Sequence, residues 1–158
     1  MAIDKTAVIG FPVDHSLSPI IHNHWIKELA LDIKPYEKLN VDPNMFEEQI
    51  NNLKAEGFGG INVTVPLKEL AFNISDETSN VSKKLRSANT LTLSSDKINA
   101  DNTDAVGFIN SLDKKNSYFL YCRSGNRSAQ ACMYMHDKGF TTYNLMGGML
   151  SWDGEVVK

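Results

Sequence analysis

Cysteine is scarce in this sequence, since Cys122 and Cys132 are the two that occur among 158 residues. They lie ten positions apart, across a predicted loop and helix, and this is a poor basis for a disulfide framework. We therefore expect both thiols to be reduced.

Long hydrophobic runs and a strong charge of one sign are missing too. The first residues, MAIDKTAVIG, carry an early acid and no extended apolar stretch, so neither a signal peptide nor a membrane helix is predicted. The net charge of −3 does not indicate a nucleic acid or a membrane as partner. No histidine pair has the spacing of a metal site, and none is predicted. We expect a cytoplasmic protein whose partners are small molecules.

The chain is long enough for one domain, or for one and a fraction, at 42% hydrophobic residues. Short apolar runs alternate with helical patterns, which predicts an α/β fold with a mostly parallel sheet and flanking helices. The predicted strands are 6–10, 36–41, 60–65, 89–93, 97–100, 118–121 and 141–145. The predicted helices are 18–30, 43 up to Gly57, 67–71, 80–86, 104–112 and 128–138. Ser18 as N-cap and Pro19 signal the start of the first helix, which is predicted to bury Ile21, Trp25 and Leu29. Asp42 and Pro43 repeat this signal for the second helix, whose predicted apolar face is Phe46, Ile50 and Leu53. The polar stretch 113–117 is the best boundary candidate.

Polar residues of the first part cluster at the predicted strand ends, where open α/β sheets bind ligands. They are Ser16, Ser18, Asn62, Thr64, Lys68, Asn89 and Asp104. Hydroxyls and amides suit a polyhydroxylated acid, and a lysine beside an aspartate can move a proton. Taken singly, Ser18 and Asp104 are also residue types that cap helices, and Lys68 is typical of a solvated surface. That alternative stays open.

Four ordered motifs resemble the substrate-binding domain of shikimate dehydrogenase over about residues 5–112. They are VIGFPVDHSLSPIIHN, GGINVTVPLKE, ANTL and NADNTDAVGF. The resemblance implies an NADP-dependent oxidoreductase family of aromatic amino acid biosynthesis. It also implies that Ser16 and Ser18 bind the carboxylate of shikimate or 3-dehydroshikimate. The ring hydroxyls of this ligand would be bound by Asn62, Thr64, Asn89 and Asp104. Lys68 and Asp104 would form the acid–base pair.

The sequence departs from this family at the cofactor. No GxGxxG-like segment follows a predicted strand, so we expect no NADP-binding site in this chain and no dehydrogenase turnover by it alone. The closing helical segment of the family is not recognisable either. Ser87, Ala100 and Ala105 stand where the family commonly has glycine.

The segment after residue 117 has a different character, with a predicted strand, the tight loop CRSGNR and a helix. A thiolate at Cys122 would face backbone N–H groups and the positive end of the helix, which lowers a thiol pKa. Cys132, on the helix, is predicted to be a small buried hydrophobic residue.

This segment resembles the C-terminal half of a rhodanese domain through CRSGNR and the later GGMLSW, over about residues 117–158. The resemblance implies that Cys122 is a persulfide-forming nucleophile. The loop around it would be shaped by Arg123, Ser124, Gly125, Asn126 and Arg127. A phosphatase is a weaker interpretation, because its loop has five residues between Cys and Arg, whereas four separate Cys122 from Arg127. The predicted domains are thus 1–112, shikimate dehydrogenase-like, and 113–158, a rhodanese-like βαβ unit that extends the fold.

Three functions follow from the sequence. The first is a shikimate-binding protein without its own cofactor domain, and the second is a sulfur carrier or sulfurtransferase through Cys122. The third is a non-catalytic fusion fragment. Sheet edges left open by the missing halves favour a homodimer.

Overall fold

The computed structural model describes residues 4–155. The chain divides into two compact units, Met1–Asp104 and Ala105–Lys158. The predicted boundary after residue 112 separates the segment that resembles shikimate dehydrogenase from the one that resembles rhodanese. The division into compact units does not test that boundary, so it stays a prediction. None of the helices among residues 4–155 has the length and apolar composition needed to cross a membrane.

The first unit contains a mixed six-stranded sheet. Its strands are β1 (Lys5–Gly10), β2 (Glu37–Asn40), β3 (Phe58–Val63), β4 (Glu77–Thr78), β5 (Thr90–Leu93) and β6 (Ile98–Asp101). Their order is β2-β1-β3-β5-β6-β4. β1 is parallel to β2 and β3, β4 is parallel to β6, and β5 is antiparallel to β3 and β6. The predicted α/β class is confirmed. β4 was not predicted, because two residues carry no periodicity.

Five helices accompany these strands along the chain. They are α1 (Ser18–Glu28), α2 (Phe46–Ala55), α3 (Lys68–Asn73), α4 (Asn80–Leu85) and α5 (Thr103–Asn110). The predicted start signal before α2 is confirmed, since the Asp42 side chain accepts a hydrogen bond from Asn44 N–H at 2.8 Å in the preceding 3₁₀ turn. Gly57 follows the helix with φ of +91°, a conformation that favours glycine.

The main core lies where α2 covers one face of the sheet. Ile50, on α2, is fully buried, and Phe46 and Leu53 on the same face are 3% and 9% exposed. They belong to one apolar cluster with Ile61 of β3 and Leu91 of β5. The predicted apolar face of this helix is confirmed.

The predicted burial of α1 is wrong. Ile21, Trp25 and Leu29, spaced four apart, are 48%, 51% and 66% exposed. The side chain of Asn23 explains the difference, because it accepts from Tyr36 N–H at 2.7 Å and donates to the Tyr36 carbonyl at 3.0 Å. These two bonds turn the face with Asn23 toward β2, and the apolar stripe lies outside.

Ser18 does not cap α1 as predicted. It is the first helical residue, and Leu17 occupies the N-cap position without a side-chain hydrogen bond to the helix. Pro19 follows in the first turn, as expected. The hydroxyl of Ser18 is therefore not committed to a capping bond at this terminus.

The second unit contains the part of α5 from Ala105 onward and a parallel βαβ unit. The βαβ unit comprises β7 (Ser117–Leu120), α6 (Asn126–His136) and β8 (Thr141–Asn144). β7 and β8 pair in parallel in a two-stranded sheet of their own. Cys132 is 8% exposed, which confirms its prediction as a buried residue, and it lies on the same helix as the buried Ser128 and Met135.

Candidate functional site

The predicted ligand-binding residues lie at one edge of the six-stranded sheet. β1 and β3 are parallel, and β6 runs in the same direction because β5 is antiparallel to both of its neighbours. β1, β3 and β6 thus end at the edge where β5 begins. Asn62 at this edge is in register with Val8 of β1 and with Thr90 of β5.

Lys68 and Asp104 form the closest charged contact at this edge. Lys68 Nζ donates to Asp104 Oδ2 at 2.6 Å, although the residues are 36 positions apart. Their side chains are 30% and 54% exposed. An exposed ion pair of this kind adds only about 0–1 kcal/mol to stability. The contact is solvent-exposed, so the alternative of Lys68 as a solvated surface charge stays open.

Asn89 lies just before β5 and is 8% exposed. Its Oδ1 accepts from Thr103 N–H at 2.9 Å and from Thr90 Oγ1 at 3.0 Å. Its Nδ2 donates to Thr103 Oγ1 at 2.9 Å. Because Thr103 precedes Asp104 in α5, these bonds hold the start of that helix against β5.

Asn62 is joined to the same network from β3. Its Nδ2 donates to Thr90 Oγ1 at 3.4 Å, and its Oδ1 accepts from Tyr36 Oη at 2.7 Å. Thr64 follows the strand and is half-buried. It packs closely against Gly10, where an added Cβ would be 2.7 Å from Thr64 Cγ2. Glycine at position 10 thus lets the chain after β3 approach β1.

Ser16 and Ser18 lie in the loop between β1 and α1. Ser16 N–H donates to the Val13 carbonyl at 2.9 Å, and its hydroxyl accepts from Ser18 N–H at 3.3 Å. The loop is anchored on β2, since Asn40 Oδ1 accepts from Val13 N–H at 2.8 Å. Both serines are half-buried.

Three residues of the network were not predicted from the sequence. Thr90 and Thr103 adjoin Asn89 and Asp104, so the motifs ANTL and DNTD contained a signal for them. Tyr36 had no such signal, because its ring reaches Asn62 only after β2 has paired with β1 and β1 with β3.

Cys122 follows β7 in a second candidate site. Gly125 N–H donates to Cys122 Sγ at 3.2 Å. The Ser128 hydroxyl lies 3.5 Å from the sulfur and 3.1 Å from the Gly125 carbonyl oxygen, so its single proton is shared between these two acceptors. The Ser128 hydroxyl, its backbone N–H and the N–H groups of Ser124 and Gly125 lower the pKa of Cys122 to about 6, although burial opposes them. Such a thiol is largely thiolate at neutral pH.

The Cys122 loop is closed by the segment that follows β8. Met149 N–H donates to the Cys122 carbonyl at 2.9 Å, and Leu150 N–H to the Arg123 carbonyl at 3.0 Å. Gly148 permits this approach, because a Cβ there would be 2.1 Å from the Cys122 carbonyl oxygen. Of the residues predicted to shape the loop, Gly125 is buried. The other four are exposed: Arg123, Ser124, Asn126 and Arg127.

A dinucleotide does not fit this loop. The pyrophosphate of NADP is bound by free N–H groups of a glycine-rich loop at a helix start. Here the N–H groups of Ser124, Gly125 and Ser128 are directed at the Cys122 sulfur instead. Among residues 4–155, moreover, no three His, Cys, Asp or Glu side chains come together in a way that could hold a metal ion.

Comparison with known proteins identifies relatives for both parts of the chain. The family model of the shikimate dehydrogenase substrate binding domain matches residues 8–91, and that of the rhodanese-like domain matches residues 70–155. Both predicted resemblances are confirmed. The rhodanese match begins before residue 117, within residues that the structure assigns to the first unit.

Curated relatives are shikimate dehydrogenases (NADP(+)). That of Rhizobium etli is 37% identical over 150 residues, which cover 90% of this chain and 52% of the relative. The enzyme of Methylocella silvestris is 41% identical over 113 residues, which cover 72% of this chain and 40% of the relative. The chain thus spans about half the length of the relatives it matches. An alignment of 150 residues also extends into the second unit.

Solved structures agree with these relatives. Shikimate dehydrogenase from Aquifex aeolicus has a TM-score of 0.75 and 30% identity, and the alignment covers 88% of this chain and 53% of that one. The enzyme from Thermus thermophilus in complex with shikimate has a TM-score of 0.74 and 25% identity, and the alignment covers 89% of this chain and 55% of that one. Since residues 8–91 are just over half of the sequence, the chain belongs to the shikimate dehydrogenase substrate binding domain family, and residues 70–155 match the rhodanese-like domain.

Proposed function

We propose that this chain binds shikimate or 3-dehydroshikimate at the edge of the six-stranded sheet where β1, β3 and β6 end. The 2.6 Å contact between Lys68 Nζ and Asp104 Oδ2 carries the proposal, because it joins an ammonium and a carboxylate beside the amides of Asn62 and Asn89. The family match over residues 8–91 supports the choice of ligand.

The polar groups are matched to a polyhydroxylated acid. Ser16 and Ser18 would donate their hydroxyls to the ligand carboxylate, and Asn62, Thr64, Asn89 and Asp104 would bind ring hydroxyls. Lys68 would hold or release a proton at the substrate oxygen, with Asp104 orienting its ammonium group.

Binding is proposed without turnover by these 158 residues. Reduction of 3-dehydroshikimate needs a hydride donor, and the Cys122 loop does not fit the pyrophosphate of NADP. We therefore derive no hydride step, and the only proton-transfer groups assigned are Lys68 and Asp104. Reduction by added NADPH that is abolished in Lys68→Ala would refute this part of the proposal.

Calorimetric titration with shikimate tests the site. Removing one partner of a charged hydrogen bond costs about 1.5–3 kcal/mol, so Lys68→Ala and Asp104→Ala should each weaken binding about tenfold or more. Lys97→Ala is the matched control, because Lys97 Nζ forms an ion pair of 3.0 Å with Glu77 Oε1 elsewhere in the sheet.

The titration has an outcome that supports the shikimate site and one that contradicts it. Saturable binding that is weakened by the two site variants and unchanged by Lys97→Ala supports the proposal. A well-folded wild type that does not bind shikimate contradicts it and favours the non-catalytic fragment or the thiol site.

The second candidate function is a sulfur carrier at Cys122. The lowered pKa of this thiol and the rhodanese-like match over residues 70–155 favour it. The Cys122 thiolate would attack the sulfane sulfur of thiosulfate, and the S–S bond of the donor would break with release of sulfite. Cyanide would then take the sulfur from the Cys122 persulfide as thiocyanate and restore the thiolate.

Cyanolysis measures this activity directly. After incubation with thiosulfate and desalting, the wild type should release about one equivalent of thiocyanate per thiolate. Cys122→Ser should release none, and Cys132→Ser, which removes the buried thiol of the same unit, should behave as the wild type. Equal release from Cys122→Ser and the wild type would exclude the carrier function.

We further propose that the protein self-associates as a homodimer in the cytoplasm. Both strands of the two-stranded sheet are edge strands, and Phe119 and Tyr143 on it are 78% and 50% exposed with their rings stacked at 5.0 Å. Light scattering should give about twice the chain mass of 17.6 kDa. A concentration-independent monomer would contradict the dimer.

A further inference from the structure

In the hydrogen-bond network at the sheet edge, each group can be assigned as donor or acceptor. The backbone N–H of Thr103 fixes this assignment. Thr103 N–H can only donate, so the Asn89 atom 2.9 Å from it is Oδ1. The Thr90 hydroxyl donates to the same oxygen at 3.0 Å. A hydroxyl has a single proton, and Thr90 Oγ1 can then only accept from its next neighbour.

That neighbour is the side-chain amide of Asn62. Because Thr90 Oγ1 accepts, the Asn62 atom facing it at 3.4 Å is Nδ2, and Oδ1 points the other way. Oδ1 lies 2.7 Å from Tyr36 Oη, so the phenol of Tyr36 must be the donor in this bond. The order of donors from Thr103 to Tyr36 thus leaves no freedom to flip the Asn62 amide.

Tyr36 is held rigidly enough to act as this donor. It is 5% exposed, and Asn23 bonds both of its backbone groups. The ring of His22 stacks on it with a centroid distance of 4.1 Å and an interplanar angle of 8°. Burial raises the pKa of the Tyr36 phenol above its usual value, so the group keeps its proton at neutral pH.

We infer that Tyr36 is a positioning residue that holds the Asn62 amide in the orientation set by Thr90, with Oδ1 on the phenol and the N–H groups on the side of Thr90. Asn62 then offers a ligand a donor and recognises an oxygen that accepts. This inference deepens the proposed function and rests on it, since Asn62 is one of the proposed shikimate-binding residues. Tyr36 itself acts through Asn62 and not by touching the ligand.

The test is a double-mutant cycle with shikimate titration. Tyr36→Phe removes the hydroxyl but keeps the ring on His22 and the backbone bonds to Asn23. It should weaken binding about three- to tenfold, the worth of one hydrogen bond. In an Asn62→Ala background the same change should have no further effect. Tyr118→Phe is the control, because its hydroxyl bonds Asp113 in the other unit.

A spectroscopic measurement separates this inference from the proposed function. The side-chain amide resonances of Asn62 in the free protein should shift in Tyr36→Phe, whether or not shikimate binds. A wild type that fails to bind while these resonances shift would refute the proposed function and support the orientation. Unchanged resonances, or an equal loss of affinity in the Asn62→Ala background, would overturn the role of Tyr36. Asn62→Ser replaces Asn62→Ala if the latter does not fold.

Discussion

Replacing Ser128 by alanine is expected to raise the pKa of the Cys122 thiol. The Ser128 hydroxyl, 3.5 Å from Sγ, is the largest of the causes that lower this pKa to about 6. The backbone N–H groups around the sulfur remain in the variant, so the pKa should stay below that of a free cysteine, about 8.5.

The magnitude follows from the titration of the thiol. At a pKa of about 6, about 90% of Cys122 is thiolate at pH 7, whereas a free cysteine is about 3% thiolate. Loss of one hydrogen bond to a charged sulfur moves the pKa up by about one, which lowers the thiolate fraction at pH 7 to about half.

Alkylation by iodoacetamide measures the thiolate directly. Both proteins carry Cys132→Ser, and their initial rates are measured between about pH 5 and 9.5. The rates should rise with a midpoint at about pH 6 when residue 128 is serine and at about pH 7 when it is alanine. Ser124→Ala is the matched control, because Ser124 acts through its backbone N–H and not through its exposed side chain. Equal midpoints in the two proteins, or a wild-type midpoint near 8.5, would refute the reasoning.

The same pKa has a consequence for folding. Because the folded-state pKa lies below the unfolded one, Cys122 contributes stability that is present above about pH 8.5. This contribution is lost as the pH falls through about 6. Unfolding by urea at pH 9 and pH 5 should therefore differ less in Ser128→Ala than in the wild type.

Two further predictions concern the packing of Gly10 and Ile50 in the first unit, and the control for Gly10 is Gly107 in the second unit. Gly10→Ala should lower the melting temperature and weaken shikimate binding, because its Cβ would be 2.7 Å from Thr64 Cγ2. Gly107→Ala, where nothing lies within 4 Å of the added Cβ, should be neutral or stabilising by up to about 1 kcal/mol. Ile50→Ala in the core should cost about 2–5 kcal/mol in urea unfolding, and Trp25→Ala, at 51% exposure, should cost clearly less. A larger loss for Trp25 would contradict the observed orientation of α1.

The order of helices and strands was largely predictable, because each depends on local patterns. The face of α2 with Phe46, Ile50 and Leu53 was correct, since the sheet covers the same stripe that the spacing indicates. The spacing of apolar residues in α1 was equally regular and gave the wrong face. There the contacts of Asn23 with Tyr36 decide the orientation, and no pattern within the helix reports a partner outside it.

The candidate site divides in the same way. Lys68 and Asp104 were predicted as a pair from family-like motifs, whereas their 2.6 Å contact depends on β3, β5 and β6 lying side by side. The thiol at Cys122 was predicted to be acidic from its position between a strand and a helix. The Ser128 hydroxyl, the main cause of the lowered pKa, was not singled out.

Residue types and local spacing were sufficient to predict the α/β class, the two family relationships and most of the candidate residues. The direction of the Asn62 amide could not be predicted in this way, since it depends on a chain of hydrogen-bond donors from Thr103 to Tyr36 across β5, β3 and the start of β2. Each donor in this chain fixes the role of its neighbour on the next strand. The strands are distant in the sequence, so these hydrogen bonds form only after the strands have paired.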